Sequence, residues 1–263
     1  MIANAISPDG TSIGFWHGGR GQPILFVHGT VADHKSWAAL APRFEPDFAV
    51  YALDRRGRGL SDDAPTYDLR REAEDVAAVI TAIGQPVCLF GHSFGGLCSL
   101  EAALLTDQVS HLILYEPAVP TGTTVASPAV LAQIAALAER DDFAAAMTLF
   151  CREVAQMSED ELALYRRSPL WTERLPLAKT IAREMATEQR YRFDAARFAG
   201  LTMPALLLLG SDSPPMYRVG VEIVNTALPQ SQIVQLPGQQ NIAHHTAPDL
   251  LVKAVVDFLA HYL

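Results

Sequence analysis

The sequence predicts an α/β fold: a mostly parallel, twisted sheet with helices on both faces and a helical insertion past the middle of the chain. Three observations carry this. Short apolar runs alternate with helical patterns through residues 23–115, the order expected of a parallel sheet wrapped by helices. From about Ser127 to Phe193 no convincing strand appears, and helical patterns dominate. Two strand-like runs, Ala205–Leu209 and Gln232–Leu236, then resume the alternation before a last helical stretch.

Taken in order, residues 2–6 and 11–17 flank the turn Pro8-Asp9-Gly10 and read as an antiparallel hairpin at the sheet edge. Pro23–Val27 is a short buried strand ending in His28-Gly29-Thr30. Ser36–Phe44 suits a helix, and Phe48–Asp54 a strand that runs into the loop Arg56-Gly57-Arg58-Gly59. Over Asp68–Ile83 the apolar residues Leu69, Val76, Val79, Ile80 and Ile83 fall at helical spacing, and Gly84 stops the helix. Pro86–Gly91 is a buried strand, Phe94–Leu105 a helix and His111–Tyr115 a strand. In the insertion, Pro128–Arg140, Phe143–Gln156, Glu159–Arg166 and Leu177–Arg190 are helical, and Pro248–Leu263 closes the chain as an amphipathic helix capped by Thr246. The expected division is a core of residues 1–118 and 200–263, with residues 119–199 as a helical lid over the strand ends.

Composition narrows the function classes. With 49% hydrophobic and 19% charged residues the chain is of ordinary globular type. No apolar run of the length needed to span a membrane appears, and Met1–Gly10 lacks the basic-then-apolar order of a secretory signal, so a cytoplasmic location is expected. The net charge of −9 argues against a nucleic-acid partner, since the one dense basic cluster, Arg55, Arg56 and Arg58, sits beside Asp54, Asp62 and Asp63. Cys88, Cys98 and Cys151 have no metal spacing and no disulfide framework, and read as small core residues. No metal or organic cofactor is implied. Homo-oligomerisation stays open.

The chemistry lies in Gly91-His92-Ser93-Phe94-Gly95, with Gly96 extending it. The match to G-x-S-x-G gains force from its setting, after the apolar strand Val87–Phe90 and before a helix. Such a sharp turn needs glycines where bulk would clash, and it projects the serine hydroxyl above the sheet at a helix N-terminus. A developing oxyanion there needs two backbone donors, for which the N–H groups of Phe94 and Thr30 are the candidates. His28 either shapes that loop or faces the substrate.

His28-Gly29, Asp54-Arg55-Arg56-Gly57-Arg58-Gly59-Leu60-Ser61, Gly91–Gly96, and Leu206–Gly210 followed by an acid together resemble the α/β-hydrolase superfamily of serine esterases, lactonases and related carbon–carbon bond hydrolases. The resemblance covers the whole chain, with residues 120–200 matching only as a generic helical cap. It implies an α/β-hydrolase fold and a Ser–His–acid triad. For the acid it offers two positions. One is the loop after Ala205–Leu209, where Asp212 lies one place early and Ser213 stands at the usual site. The other is the end of the strand carrying Leu112–Tyr115, where Glu116 stands. Glu116 is favoured because Ser213 breaks the commoner pattern.

The base position departs from the family. The resemblance places the histidine seven residues before the proline that opens the last helix, and that residue is Asn241. A carboxamide has no useful basicity. Three readings compete: an inactivated variant that traps ligand, a natural homologue with lost or altered chemistry, or takeover by His244 or His245. The first is favoured because the other catalytic positions are intact. Aromatics of the insertion, Trp171 and Tyr191 among them, with Met216 and Tyr217 after Pro214-Pro215, are expected to line an apolar pocket. The expected activity is hydrolysis of a mostly apolar carboxylic ester or lactone through a Ser93 acyl-enzyme. The alternatives are a carbon–carbon hydrolase of a diketone-like substrate and a non-catalytic ligand-binding protein.

Overall fold

The computed structural model describes residues 1–122 and 126–262. Eight strands form one sheet: β1 (Ile2–Ile6), β2 (Ser12–Gly19), β3 (Gln22–Val27), β4 (Phe48–Leu53), β5 (Val87–His92), β6 (Val109–Tyr115), β7 (Ala205–Gly210) and β8 (Ser231–Leu236), in the order β1-β2-β4-β3-β5-β6-β7-β8. The β1–β2 hairpin and β2–β4 pair are antiparallel, and every pairing from β4 to β8 is parallel. This is an α/β-hydrolase fold. Because β3 lies between β4 and β5, the chain reverses its direction of travel there. The carboxyl ends of the strands at such a reversal open into a crevice where ligands bind.

All six residues of β5 are buried, as expected for a central parallel strand covered on both faces. On one face, Phe26, Trp37, Phe44 and Phe90 form a tilted aromatic cluster with centroids 5.0–5.6 Å apart, joined by Phe258 and Leu259 from the last helix. The helices of this body are α1 (Ala41–Phe44), α2 (Leu69–Ile83), α3 (Phe94–Ala102), α9 (Pro215–Ala227), α10 (Ala243–Thr246) and α11 (Pro248–Leu259). Helix α2 starts where Asp68 accepts from the Arg71 N–H and stops at Gly84, whose φ of 73° is left-handed.

Some elements differ from the sequence expectation, each for a local reason. The expected helix over Ser36–Phe44 is a 3₁₀ turn, His34–Trp37, followed by the single turn α1. Pro42 lacks an N–H and cannot continue a helix through Ala38. Thr246 is not the cap of α11: the cap is Ala247, and the Thr246 hydroxyl donates to Gln239 Oε1 at 2.7 Å. Leu177–Thr180 belongs to a 3₁₀ turn, so the helix expected there begins at Ile181. Helix α9 was not foreseen, because the double proline that opens it reads as loop.

The chain forms two compact units, one of residues 1–29, 33–119 and 193–263, the other of residues 30–32 and 120–192. The second contains α4 (Pro128–Ala138), α5 (Phe143–Glu153), α6 (Glu159–Arg167), α7 (Pro169–Arg174) and α8 (Ile181–Arg190). It has its own core of Leu131, Ile134, Met147, Trp171, Ile181 and Met185, with Val31 packed into it. Among the described residues, no helix is long and apolar enough to cross a membrane.

The basic cluster seen in the sequence is internal. Arg55 and Arg56 are wholly buried and Arg58 nearly so. Arg55 grips Glu72 through Nε at 3.0 Å and Nη2 at 2.6 Å, and Arg56 grips Asp75 at 2.6 and 2.7 Å. These forked pairs tie the loop after β4 to α2.

Candidate active site

Ser93 sits between the last residue of β5 and the first of α3, with φ 52° and ψ −124°. This is a conformation that L residues rarely adopt, and it turns the chain sharply enough to expose the side chain. The turn is held because the Ser93 N–H donates to Tyr115 O at 3.0 Å, and Ser93 O accepts from the Ala118 N–H at 3.0 Å. The flanking glycines are required by space. A Cβ on Gly91 would lie 2.5 Å from Ser99 Oγ, and one on Gly95 would lie 2.2 Å from His28 O. Phe94 opens α3, so its N–H has no acceptor within the helix.

Glu116 follows β6 with φ 44° and is wholly buried. Its Oε1 accepts from the Gly210 N–H and its Oε2 from Asn241 Nδ2, both at 2.7 Å. Burial pushes its carboxyl above the ordinary carboxylate range, against these hydrogen bonds, which favour the charged form. The other end of the Asn241 carboxamide is also engaged. His92 Nε2 lies 3.1 Å from Asn241 Oδ1 and 2.8 Å from Asn241 O, so this ring nitrogen carries the proton and donates. Glu116, Asn241 and His92 thus form one hydrogen-bonded chain at the end of the strand that carries Ser93. Among the described residues the Ser93 hydroxyl makes no hydrogen bond. Asn241 has no basic lone pair to offer it.

Two residues of this arrangement carried no assigned role in the sequence. Tyr115 donates its hydroxyl proton to Gln240 O and accepts from the Ala243 N–H at 3.1 Å, stapling both sides of position 241. His92 fixes position 241 directly. Its adjacency to the nucleophile was the one available signal, and nothing in the sequence pairs either residue with a loop more than a hundred positions away.

The remaining candidates separate. Asp212 is exposed, its carboxylate accepts from Ser211 Oγ at 2.7 Å, and its N–H donates to Gln239 O. It lies in the loop whose Gly210 amide holds Glu116, and its own carboxylate joins no bond to Asn241. His28 is wholly buried, with Nδ1 2.9 Å from Gly29 O and Nε2 accepting from the Arg55 N–H at 3.1 Å. It is a loop-shaping residue and leaves the substrate-facing set. Thr30 belongs to the helical unit, where its hydroxyl donates to Glu184 Oε2 at 2.9 Å. The neighbouring Gly29 abuts the nucleophile: a Cβ on it would stand 3.1 Å from Ser93 Cβ.

Trp171 is 9% exposed, packs edge-on against Tyr165 and belongs to the core of the helical unit. An aromatic at helical spacing reads the same whether it faces inward or toward a ligand. Tyr191 ends α8 and is half-buried, as are Met216 and Tyr217 in the first turn of α9. His244 is 3% exposed and packs at a tilt against His92 and His245, with centroids 4.5 and 4.1 Å away. Cys88, Cys98 and Cys151 are buried free thiols.

Known proteins share this fold. A 2-(acetamidomethylene)succinate hydrolase of Mesorhizobium japonicum is 25% identical over 92% of this chain and 89% of its own length. The crystal structure of an alpha/beta hydrolase from Sphaerobacter thermophilus superposes with a TM-score of 0.88 at 32% identity, covering 98% of this chain and all of that one. An esterase from a Rhodococcus species shares the fold at 23% identity, with a TM-score of 0.79 over 98% of both chains. Residues 24–254 match the alpha/beta hydrolase family, and the chain belongs to it.

Proposed function

We propose that this hydrolase-family protein acts on a mostly apolar carboxylic ester or lactone through an acyl-enzyme on Ser93, and that Asn241 leaves it with impaired turnover. The observation carrying the proposal is the 2.7 Å bond from Asn241 Nδ2 to Glu116 Oε2 beside the strained Ser93 elbow. A carboxylate aimed at position 241 would orient an imidazole there and stabilise its positive charge after proton transfer. In that form histidine at 241 takes the Ser93 proton, Ser93 Oγ attacks the carbonyl, and the alcohol leaves with the proton. Water then repeats the sequence to release the acid. The Phe94 amide at the start of α3 is the proposed oxyanion donor. Tyr191, Met216 and Tyr217 are the first positions to vary for an effect on substrate preference.

The test is Asn241→His. Turnover of an ester and lactone panel should rise by several powers of ten, toward the ~10⁶ lost when such a histidine is removed from a serine hydrolase. Substrate affinity should barely move. Ser93→Ala in the restored background should abolish both turnover and organophosphonate labelling. Full activity in the unmodified chain, silenced by His244→Ala or His245→Ala, would defeat the reading.

A second reading, a non-catalytic ligand-binding protein, is supported by the same carboxamide: both its ends are hydrogen-bonded, as befits a residue that belongs there. Under it, Asn241→His leaves the ester panel at background while ligand binding persists.

A further inference from the structure

The sheet ends at β1, which pairs with β2 alone. Its pairing fixes which backbone groups are used. Met1 and His17 exchange both bonds, at 2.6 and 2.8 Å, and the Ser7 N–H donates to Thr11 O at 2.9 Å. Bonded and non-bonded positions alternate in an antiparallel ladder. Ala3 and Ala5 therefore also turn their amides and carbonyls toward β2, and Ile2, Asn4 and Ile6 turn theirs outward. The side chains of these three residues share one face, and Ile2 and Ile6 are 66% and 62% exposed. Half-buried Trp16, opposite Ile2 on β2, extends that face with apolar surface. Sheet edges are ordinarily blunted by a charge, a proline or a bulge. Between Ile2 and Ile6 there is no charged residue and no proline, and the register with β2 runs one to one. The segment Ile2-Ala3-Asn4-Ala5-Ile6 also reads the same in both directions.

We propose that β1 is a dimer interface whose occupant is β1 of a second copy, running antiparallel about a two-fold axis through the Asn4 pair. The palindrome selects this partner. Turned around, the strand sets Ile2 against Ile6 of the second copy, Asn4 against Asn4 and Ile6 against Ile2. All three facing pairs are positions whose backbone groups point outward, so each pair exchanges two main-chain bonds. The facing isoleucines cover apolar surface that each copy alone leaves in water. Asn4 fixes the register. Its Nδ2 donates one proton to Ser12 Oγ at 3.0 Å, and its second proton and Oδ1 match the same groups on its counterpart. A slip of two residues would set each carboxamide against an isoleucine. An interface built from the same patch on both copies closes as a dimer. The inference concerns the sheet edge alone and does not depend on the reading of Ser93.

The experiment is sedimentation velocity on the intact chain across about 1–100 µM, a range around the micromolar end of interface affinities. The unmodified chain should pass from monomer to dimer as concentration rises. Residue 2 faces residue 6 across the axis, so two double variants read the register. Ile2→Lys with Ile6→Lys puts like charges opposite each other at both outer pairs and should weaken the dimer by about tenfold or more. Ile2→Lys with Ile6→Glu puts opposite charges there and should dimerise more tightly than the like-charge variant. Asn4→Pro removes an outward amide without touching a bond to β2, so it should leave a folded monomer. A monomer at every concentration, like-charge and opposite-charge variants that dimerise alike, or a dimer that Asn4→Pro leaves intact overturns the proposal. Should Asn4→Pro fail to fold, the two charge variants, both at exposed positions, still decide.

Discussion

Asn241 uses both ends of its carboxamide on neighbours, the amine on Glu116 and the oxygen on His92. It therefore fills its place without strain on the loop. What it lacks is a lone pair basic enough to take a proton from serine. The same bond ranks the two candidate acids. In a chain carrying Asn241→His, Glu116→Gln should lower kcat by about 10⁴, the loss seen when a triad carboxylate becomes an amide. Asp212→Asn should change it little, because that carboxylate faces Ser211 and solvent. Steady-state kinetics on the two double variants checks the ranking, and the opposite order would move the acid into the loop after β7.

At the scale of elements, α2 is fastened to the loop after β4 by Glu72 and Asp75. Burial alone would raise the Glu72 carboxyl, but the Arg55 guanidinium overrides it and holds the pKa at about 2, below its ordinary 4.5. A carboxylate with a depressed folded-state pKa stabilises the fold above the unfolded value and loses that contribution as pH falls through the folded one. Denaturant midpoints should therefore drop between about pH 4.5 and 2, and Glu72→Gln should flatten the profile over that window. At neutral pH Glu72→Ala should cost about 3–5 kcal/mol, since it strands a buried guanidinium. A pH profile of the variant that matches the unmodified chain would show the pair to be inert.

Among the described residues, one apolar cluster packs against the sheet and another lies inside the helical unit. Trp171 belongs to the second. Trp171→Ala should destabilise that unit by about 3–5 kcal/mol through the cavity it leaves. Hydrogen exchange should quicken across α4–α8, while Ser93 in the Asn241→His background keeps its reactivity toward an organophosphonate. A change in substrate preference with no loss of protection would instead return Trp171 to the pocket.

What the sequence determined by itself were the features set by local chemistry. Alternation of apolar runs with helical spacing placed all eight strands to within about two residues of their observed ends. Asp68 and Gly84 marked the ends of α2, and glycines around Ser93 marked the elbow, because capping and close approach are short-range demands. Only the tertiary structure decided which acid faces position 241, that His92 and Tyr115 hold that position, that three arginines lie inside, and that Trp171 is core. Each depends on the packing of segments far apart in the chain, and a residue's spacing along its own helix or strand carries no record of what that packing brings against it.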